Sequence, residues 1–348
     1  MFYDLARKVL FSTDPEIAHE LSLEGLRLGH HLGATRLMCR ARTQPVSCMG
    51  LDFPNPVGVA PGLDKNGDYF EALGGLGFGF VEIGTVTPRP QPGNPKPRVF
   101  RLTDAQAMIN RLGFNNKGVD HLVRKVKKHS FKGVLGINIG KNFDTPNENA
   151  VDDYLHCFEK VYPYADYITI NISSPNTKNL RDLQGEDELD SLLGRINEKR
   201  LELADSIGHR VPVALKVAPD LPDDALPVIA QTVSHHQVDA VIATNTTISR
   251  DGVQGQAHAT QSGGLSGLAL RDKSREVLSA FYRELGDDIP IISVGGIDSA
   301  EEARLRRLLI EFSRELVCLF PRMSVRCDRG RREATYLLTQ GTMLVGFE

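Results

Sequence analysis

Seven consecutive residues, Asn171-Ile172-Ser173-Ser174-Pro175-Asn176-Thr177, bring together two side-chain amides and three hydroxyls. A serine hydroxyl has an intrinsic pKa far above neutrality. Such a group can therefore take a proton only while passing its own to a neighbouring hydroxyl or a water chain. Carboxamides donate and accept at once, which suits a polar substrate, and Asn110, Asn138 and Asn245 (between Thr244 and Thr246) add to the supply. Two lysines stand out. Lys65 follows Gly62-Leu63-Asp64, and Lys216 ends the apolar run Pro212-Val213-Ala214-Leu215, where a solvated face does not explain it. Gly295-Gly296-Ile297-Asp298-Ser299 offers glycine N–H groups beside a helix start capped by Asp298 or Ser299, one half of a phosphate cradle. Each feature has a bland reading: Ser-Pro starts turns, a buried asparagine staples a loop, and Gly-Gly alone is weak. Their common position along the chain argues for more.

Apart from Asn110, each of these groups follows or ends a short apolar, β-branched run. The runs are 56–60, 80–84, 134–138, 167–171, 212–216, 240–244 and 290–294, separated by helix-length stretches. Such alternation means repeated βα units and a parallel sheet, and the count favours a (β/α)8 barrel over a doubly wound sheet. In that barrel all strands end on one rim, so residues distant in sequence converge there. Residues 1 to about 40 read instead as short amphipathic helices, the clearest starting at Asp14-Pro15-Glu16. Ile17, Leu21 and Leu28 share a face that Leu23 and Leu26 broaden. That face either packs on the main domain or forms an apolar lip touching lipid.

Composition narrows the function classes. With 348 residues, a net charge of -3 and a pI near 6.4, no global basic field recruits nucleic acid. The five cysteines are odd in number and contain no Cys-x-x-Cys pair, which argues against a disulfide framework or a zinc site and suits a reducing cytosol; no metal is expected. No stretch has the roughly 18 uninterrupted apolar residues of a membrane span, nor does the N-terminus read as a secretory signal.

The 171–177 segment, followed by Leu180-Arg181-Asp182-Leu183-Gln184, closely resembles the catalytic loop of class 2, quinone-linked dihydroorotate dehydrogenases. Family-like motifs also stand, in order, at 60–65, 82–94, 110–116, 136–141, 243–247 and 263–267. The resemblance covers roughly residues 1 to 300. It implies a TIM-type barrel with an N-terminal helical extension, oxidation of dihydroorotate to orotate, FMN as hydride acceptor and a membrane quinone as final acceptor. Ser174 matches the catalytic base, at the position where soluble class 1 relatives carry cysteine. Lys65, Asn110, Arg111, Leu112, Gly113, Phe114, Asn171, Asn176, Asn245 and Thr246 match the substrate site, with Lys65 supplying positive charge for the substrate carboxylate. Pro61, Gly62, Leu63, Asp64, Lys65, Thr85, Asn138, Asn171, Lys216, Thr244, Gly267 and Gly296 match FMN contacts, Lys216 facing the charged ring edge. His19 and Arg101 match positions lining an apolar quinone tunnel formed by the extension. The implied location is peripheral, on the cytoplasmic face of the cell (inner) membrane, with lipid contact and no nucleic-acid partner.

The sequence departs from the family twice. Pro61 stands where many relatives have a small residue with a free N–H, removing one backbone donor. After about Arg304 the family's eighth strand, its Tyr-Ser-(Gly/Ala) ending and the closing helix do not appear. No glycine lies between Gly296 and Gly330, and the tail uses arginine without lysine. The chain therefore divides into an extension (1–40), a barrel (41–304) and an atypical tail (305–348), with the eighth strand and closing helix atypical or missing. A shifted reading frame leads over genuine divergence and over a basic nucleic-acid patch. Two other functional readings are a flavin-poor, inactive barrel remnant and an FMN barrel acting on a different ring.

Overall fold

The computed structural model describes residues 10–35, 44–309, 316–319, 323–327, 332–339 and 342–347. Residues 1–9, 36–43 and the intervening pieces of the tail lie outside the described residues; they fall in the extension, the first three residues of the barrel segment and the altered ending read above.

Helix α1 (Pro15–His31) leads, followed by the hairpin β1 (Val46–Cys48) and β2 (Leu51–Phe53) and by β3 (Val57–Val59). Next come α2 (Phe70–Gly74), β4 (Phe80–Val86), β5 (Val99–Leu102), β6 (Ala107–Asn110) and α3 (Val119–Val126). The middle of the chain supplies β7 (Val134–Ile139), α4 (Ala150–Val161), β8 (Tyr167–Asn171), α5 (Glu186–Ile207), β9 (Val213–Lys216) and α6 (Ala225–His235). It continues with β10 (Ala240–Ala243), β11 (Gly264–Gly267), α7 (Arg271–Leu285), β12 (Ile291–Val294) and α8 (Ala300–Leu309). The tail adds β13 (Leu316–Leu319), β14 (Met323–Cys327), β15 (Arg332–Thr339) and β16 (Thr342–Phe347).

Eight strands, β3, β4, β7, β8, β9, β10, β12 and β13, close into a parallel barrel in that order. All seven strands expected from the apolar runs are present. The eighth place corrects one expectation. Val317 pairs with Ser293 on one side and Val57 on the other, so a closing strand is not missing; it is built from an atypical sequence, Leu-Val-Cys-Leu. After β13, strands β14, β15 and β16 form an antiparallel sheet.

Period-two alternation sorts each strand's side chains. Val81, Ile83, Leu135, Ile137, Ile168, Ile170 and Leu215 face outward into a core shared with Leu122, Phe158, Leu193, Val233 and Phe281 of the helices. Phe80, Val134, Tyr167, Ala214, Ile242 and Ile292 fill the barrel's lower interior. The β1–β2 hairpin plugs that end, with Phe53 edge-on to Phe80 at 5.5 Å. The fit depends on two glycines: a Cβ at Gly58 would lie 2.4 Å from the Phe80 ring, and one at Gly136 would lie 2.2 Å from the Tyr167 ring.

At α1, the Asp14 carboxylate accepts the N–H groups of Glu16 and Ile17, as a first-turn Pro15 leads one to expect. The expected single apolar face is corrected. Leu23 and Leu26 are buried with Ala18, whereas Ile17, Leu21 and Leu28 are 52%, 59% and 62% exposed. At 100° per residue Leu26 lies about opposite Ile17, so one side docks and the other does not. The docked side is also tied by charge: the Arg98 guanidinium donates to both Glu16 oxygens at 2.9 Å. Among the described residues no helix is long and apolar enough to cross a membrane.

These packing relations predict opposite signs for two glycine substitutions. Gly136→Ala should destabilise the protein by about 1–3 kcal/mol through overpacking against Tyr167. Gly25→Ala, in α1 with nothing within 4 Å, should stabilise by about 0.5–1 kcal/mol. Urea denaturation of both variants checks the pair; a neutral Gly136→Ala would contradict the close packing described.

Candidate active site

At the C-terminal end of the barrel a cavity is lined by Pro61, Gly62, Lys65, Thr85, Asn110, Leu112, Gly113, Phe114, Asn171, Ser174, Asn176, Lys216, Asn245 and Thr246. Strand register does most of the positioning. Asn171 and Lys216 are the last residues of β8 and β9 and pair directly, Thr85 lies near the end of β4, and Asn245 follows β10. Asn110 ends β6 in the small antiparallel sheet β5, β6, β11, opposite Gly264. Gly263 has φ +123°, and a Cβ there would lie 2.3 Å from the Asn110 carbonyl oxygen, so this close approach requires glycine.

The polar side chains are mutually bonded. Asn171 Nδ2 donates to Thr85 Oγ1 (2.9 Å) and Asn138 Oδ1 (3.1 Å). Asn245 Nδ2 donates to Ser173 Oγ (3.0 Å), and Asn176 Nδ2 to Asn110 Oδ1 (3.3 Å). Ser174 is buried, and its Oγ accepts the Asn176 N–H at 3.2 Å. The Lys65 ammonium donates to the Gly62 carbonyl at 2.7 Å. Burial pulls its pKa down to about 8, with Glu16 opposing and Arg98 reinforcing the fall.

Other predicted residues lie elsewhere. Asn138 is fully buried beneath the cavity. Leu63 and Asp64 line a second cavity, and the Asp64 carboxylate is occupied by the N–H groups of Asn66, Asp68 and Tyr69, a loop staple. The Arg111 guanidinium turns to Gln261, Ser262 and the Pro97 carbonyl and stacks on Phe100. Thr244, Gly267 and Gly296 do not line the first cavity. Gly295 and Gly296 have φ of +106° and +71°. The cap of α8 is Ser299, whose Oγ accepts the Glu302 N–H, while Asp298 pairs with Arg271. From behind, the fully buried Arg306 guanidinium donates to the Gly295 carbonyl (2.8 Å) and Ser293 Oγ (3.0 Å). The segment following β13, where the second half of a phosphate cradle would stand, lies outside the described residues.

His19 lines the second cavity together with Lys65, Leu63 and Val99. Its Nδ1 is buried without a hydrogen-bond partner, and burial, with Lys65 adding to it, lowers its pKa to about 3. This cavity is not purely apolar, because Glu16, Glu20 and Glu24 also line it. Arg101 is not among its walls. It donates instead to the carbonyls of Leu10, Phe11 and Thr13, pinning the segment before α1.

Sequence reading missed three contributors. Arg181 donates to the Ser173 carbonyl (3.0 Å), Asp220 (2.8 Å) and the Thr246 carbonyl (2.9 Å), clamping the Ser174 loop to the loop after β10. Asp220 also accepts from Thr247 Oγ1 and the Ile248 N–H. The available signal was an acid just past a strand end and an arginine inside the catalytic-loop motif. Thr177 is buried with its hydroxyl unpartnered, and only its place in the 171–177 loop marked it.

The family model described as dihydroorotate dehydrogenase matches residues 44–306. A dihydroorotate dehydrogenase (quinone) of Acinetobacter baylyi is 57% identical over 303 residues, covering 87% of this chain and 90% of its own. One from Ralstonia nicotianae is 56% identical, covering 91% and 93%. Among solved structures, the Eimeria tenella DHODH in complex with ferulenol superposes with a TM-score of 0.78 at 35% identity, covering 88% of this chain and 86% of that one. Sequence likeness over most of the chain thus agrees with the barrel and its rim, and the chain belongs to the dihydroorotate dehydrogenase family.

Proposed function

We propose that this chain oxidises (S)-dihydroorotate to orotate, with FMN as first electron acceptor and a membrane quinone as last, in de novo pyrimidine synthesis. One observation carries the reading: Lys65, Asn110, Asn171, Asn176, Asn245 and Thr246 meet Ser174 and Lys216 in a single cavity at the strand ends. A cyclic diamide bearing a carboxylate needs that mixture of amide donors, amide acceptors and one cation.

The residues present suit FMN. Lys216 is a cation buried at a strand end, the partner a ring edge with developing negative charge requires. The Gly295-Gly296 turn and the N-terminus of α8 suit a phosphate, and Arg306 holds that turn from behind. FMN when bound supplies a ring that accepts the substrate's hydride. The protein's part is to hold the substrate by its amides and carboxylate and to remove the carbon-bound proton at Ser174 Oγ. Thr177, with its buried hydroxyl unpartnered in the same loop, suits the onward transfer of that proton. The inactive-remnant reading finds no support, since the barrel closes. The family match stops at residue 306, which supports a reading frame shifted near Arg304; resequencing the coding DNA there tests it.

The exposed Ile17, Leu21 and Leu28 of α1, with Leu32 77% exposed beyond it, support peripheral docking on the inner membrane's cytoplasmic face, where a quinone is met. His19 in the adjoining cavity supports electron exit on that side.

Purified protein should be yellow, lose flavin absorption anaerobically on adding dihydroorotate, and recover it with a soluble quinone. A flavin that other cyclic amides bleach but dihydroorotate does not would redirect the assignment. In Ser174→Ala, flavin should stay bound while its reduction slows by about 10²–10⁴; stopped-flow traces at the wild-type rate would remove Ser174 from the chemistry. Orotate affinity should be level below about pH 8, where Lys65 is protonated. Above it affinity should fall by about tenfold per pH unit as the ammonium is lost. In Lys65→Gln that inflection should vanish. Leu21→Glu with Leu28→Glu should abolish liposome binding and leave flavin reduction unchanged; full retention on liposomes would exclude this face of α1 as the docking surface.

A further inference from the structure

Below the cavity, inside the barrel, stands a carboxyl group that the proposed chemistry does not use. Glu82 on β4 is 1% exposed. Its Oε1 accepts from Asn138 Nδ2 at 2.8 Å and its Oε2 from the Tyr167 hydroxyl at 2.8 Å. From there a row of amides climbs to the cavity. Asn138 Oδ1 accepts from Asn171 Nδ2 and Thr85 Oγ1. Asn171 Oδ1 accepts from Ser173 Oγ at 3.1 Å and, at 3.4 Å, from Asn245 Nδ2. Asn245 Oδ1 accepts the backbone N–H of Thr246 at 2.8 Å.

A carboxamide turned through 180° keeps its shape but exchanges donor for acceptor. Amides linked head to tail therefore have two self-consistent directions, and something outside the row must choose between them. At the top the backbone N–H groups of Ser173 and Thr246 can only donate. At the base Glu82 accepts on both oxygens. The two ends demand the same direction, with every Nδ2 aimed down toward Glu82. Asn138 depends most on the base, since it is fully buried and its Nδ2 donates to Glu82. Asn138 in turn faces Thr85 and Asn171, both of which line the cavity.

We propose that Glu82 is a positioning residue: as the accepting end of the row Asn138, Asn171, Asn245, it fixes which donors and acceptors the cavity presents to a ring carrying both N–H and C=O groups. The inference rests on the dihydroorotate reading above. It requires an acceptor at the reach of Glu82 Oε1 and does not require a negative charge there.

Three substitutions separate reach from charge. Glu82→Gln keeps the reach, Glu82→Asp keeps the charge but withdraws the oxygens from Asn138, and Glu82→Met removes the acceptor at similar volume. Orotate affinity, read from the change it causes in the bound-flavin spectrum, should stay within about threefold of wild type in Glu82→Gln. It should weaken by about tenfold or more in Glu82→Asp and Glu82→Met, since one buried unsatisfied amide is worth that much in binding. Tyr167→Phe removes the other partner of Glu82 and leaves the row aligned. It should lower the thermal midpoint of flavin-free protein while changing orotate affinity less than threefold. Wild-type affinity in Glu82→Asp, or a loss in Tyr167→Phe equal to that in Glu82→Asp, would overturn the proposal in favour of charge or of packing. Glu82→Asp keeps a carboxyl in the barrel and carries the test if Glu82→Met does not fold. A wild-type flavin spectrum indifferent to orotate would instead sink the functional reading itself.

Discussion

A strand in a parallel sheet leaves half of its N–H and C=O groups without partners until a neighbour arrives on each side, and a barrel is the arrangement in which every strand has two. In this chain the requirement falls hardest on β3 and β12, separated by more than 200 residues of sequence and joined only through β13. The pairing of Leu316–Leu319 with both of them makes the sheet continuous. Once it is continuous, the strand ends share one rim, and Thr85, Asn171, Lys216 and Asn245 become neighbours without any loop having to reach far.

The barrel interior is graded. Its lower half is apolar and plugged by Phe53, and its upper half holds Glu82, Asn138 and Asn171. Buried polar groups of this kind are tolerable only when bonded to one another. The interior thus passes from packing to hydrogen bonding within a few residues of each strand. That transition lets a rigid apolar base hold an array of amides still. Arg181 and Asp220 do the same for the loops above, by joining the Ser174 loop to that after β10.

Much of this was legible in the sequence. The seven apolar runs are the seven strands because a parallel barrel strand is buried on both faces and leaves a continuous hydrophobic signature. Lys216 could be singled out because a lysine ending such a run has no solvent to face. The eighth strand was illegible for the converse reason: Leu-Val-Cys-Leu is too short to stand out without a polar residue at its end. Leu23 and Leu26 were assigned to the face of Ile17 because leucines alone do not say which side of α1 docks; Arg98 and Glu16, distant in sequence, decide that. Arg111 and Arg101 carried expected roles, but long side chains choose their partners in three dimensions, and carbonyls of nearby loops claim both.

Lys65 belongs to the walls of both cavities, the one with Ser174 and the one with His19. A single proton on its ammonium therefore serves two compartments. Glu16, in the second, favours that proton, and a carboxylate entering the first would favour it as well. Above about pH 8, where this ammonium loses its proton, an anion bound on one side favours the charged form, and linkage carries that change to the other side. The partition between the cavities is thus also the wire that couples their occupancies.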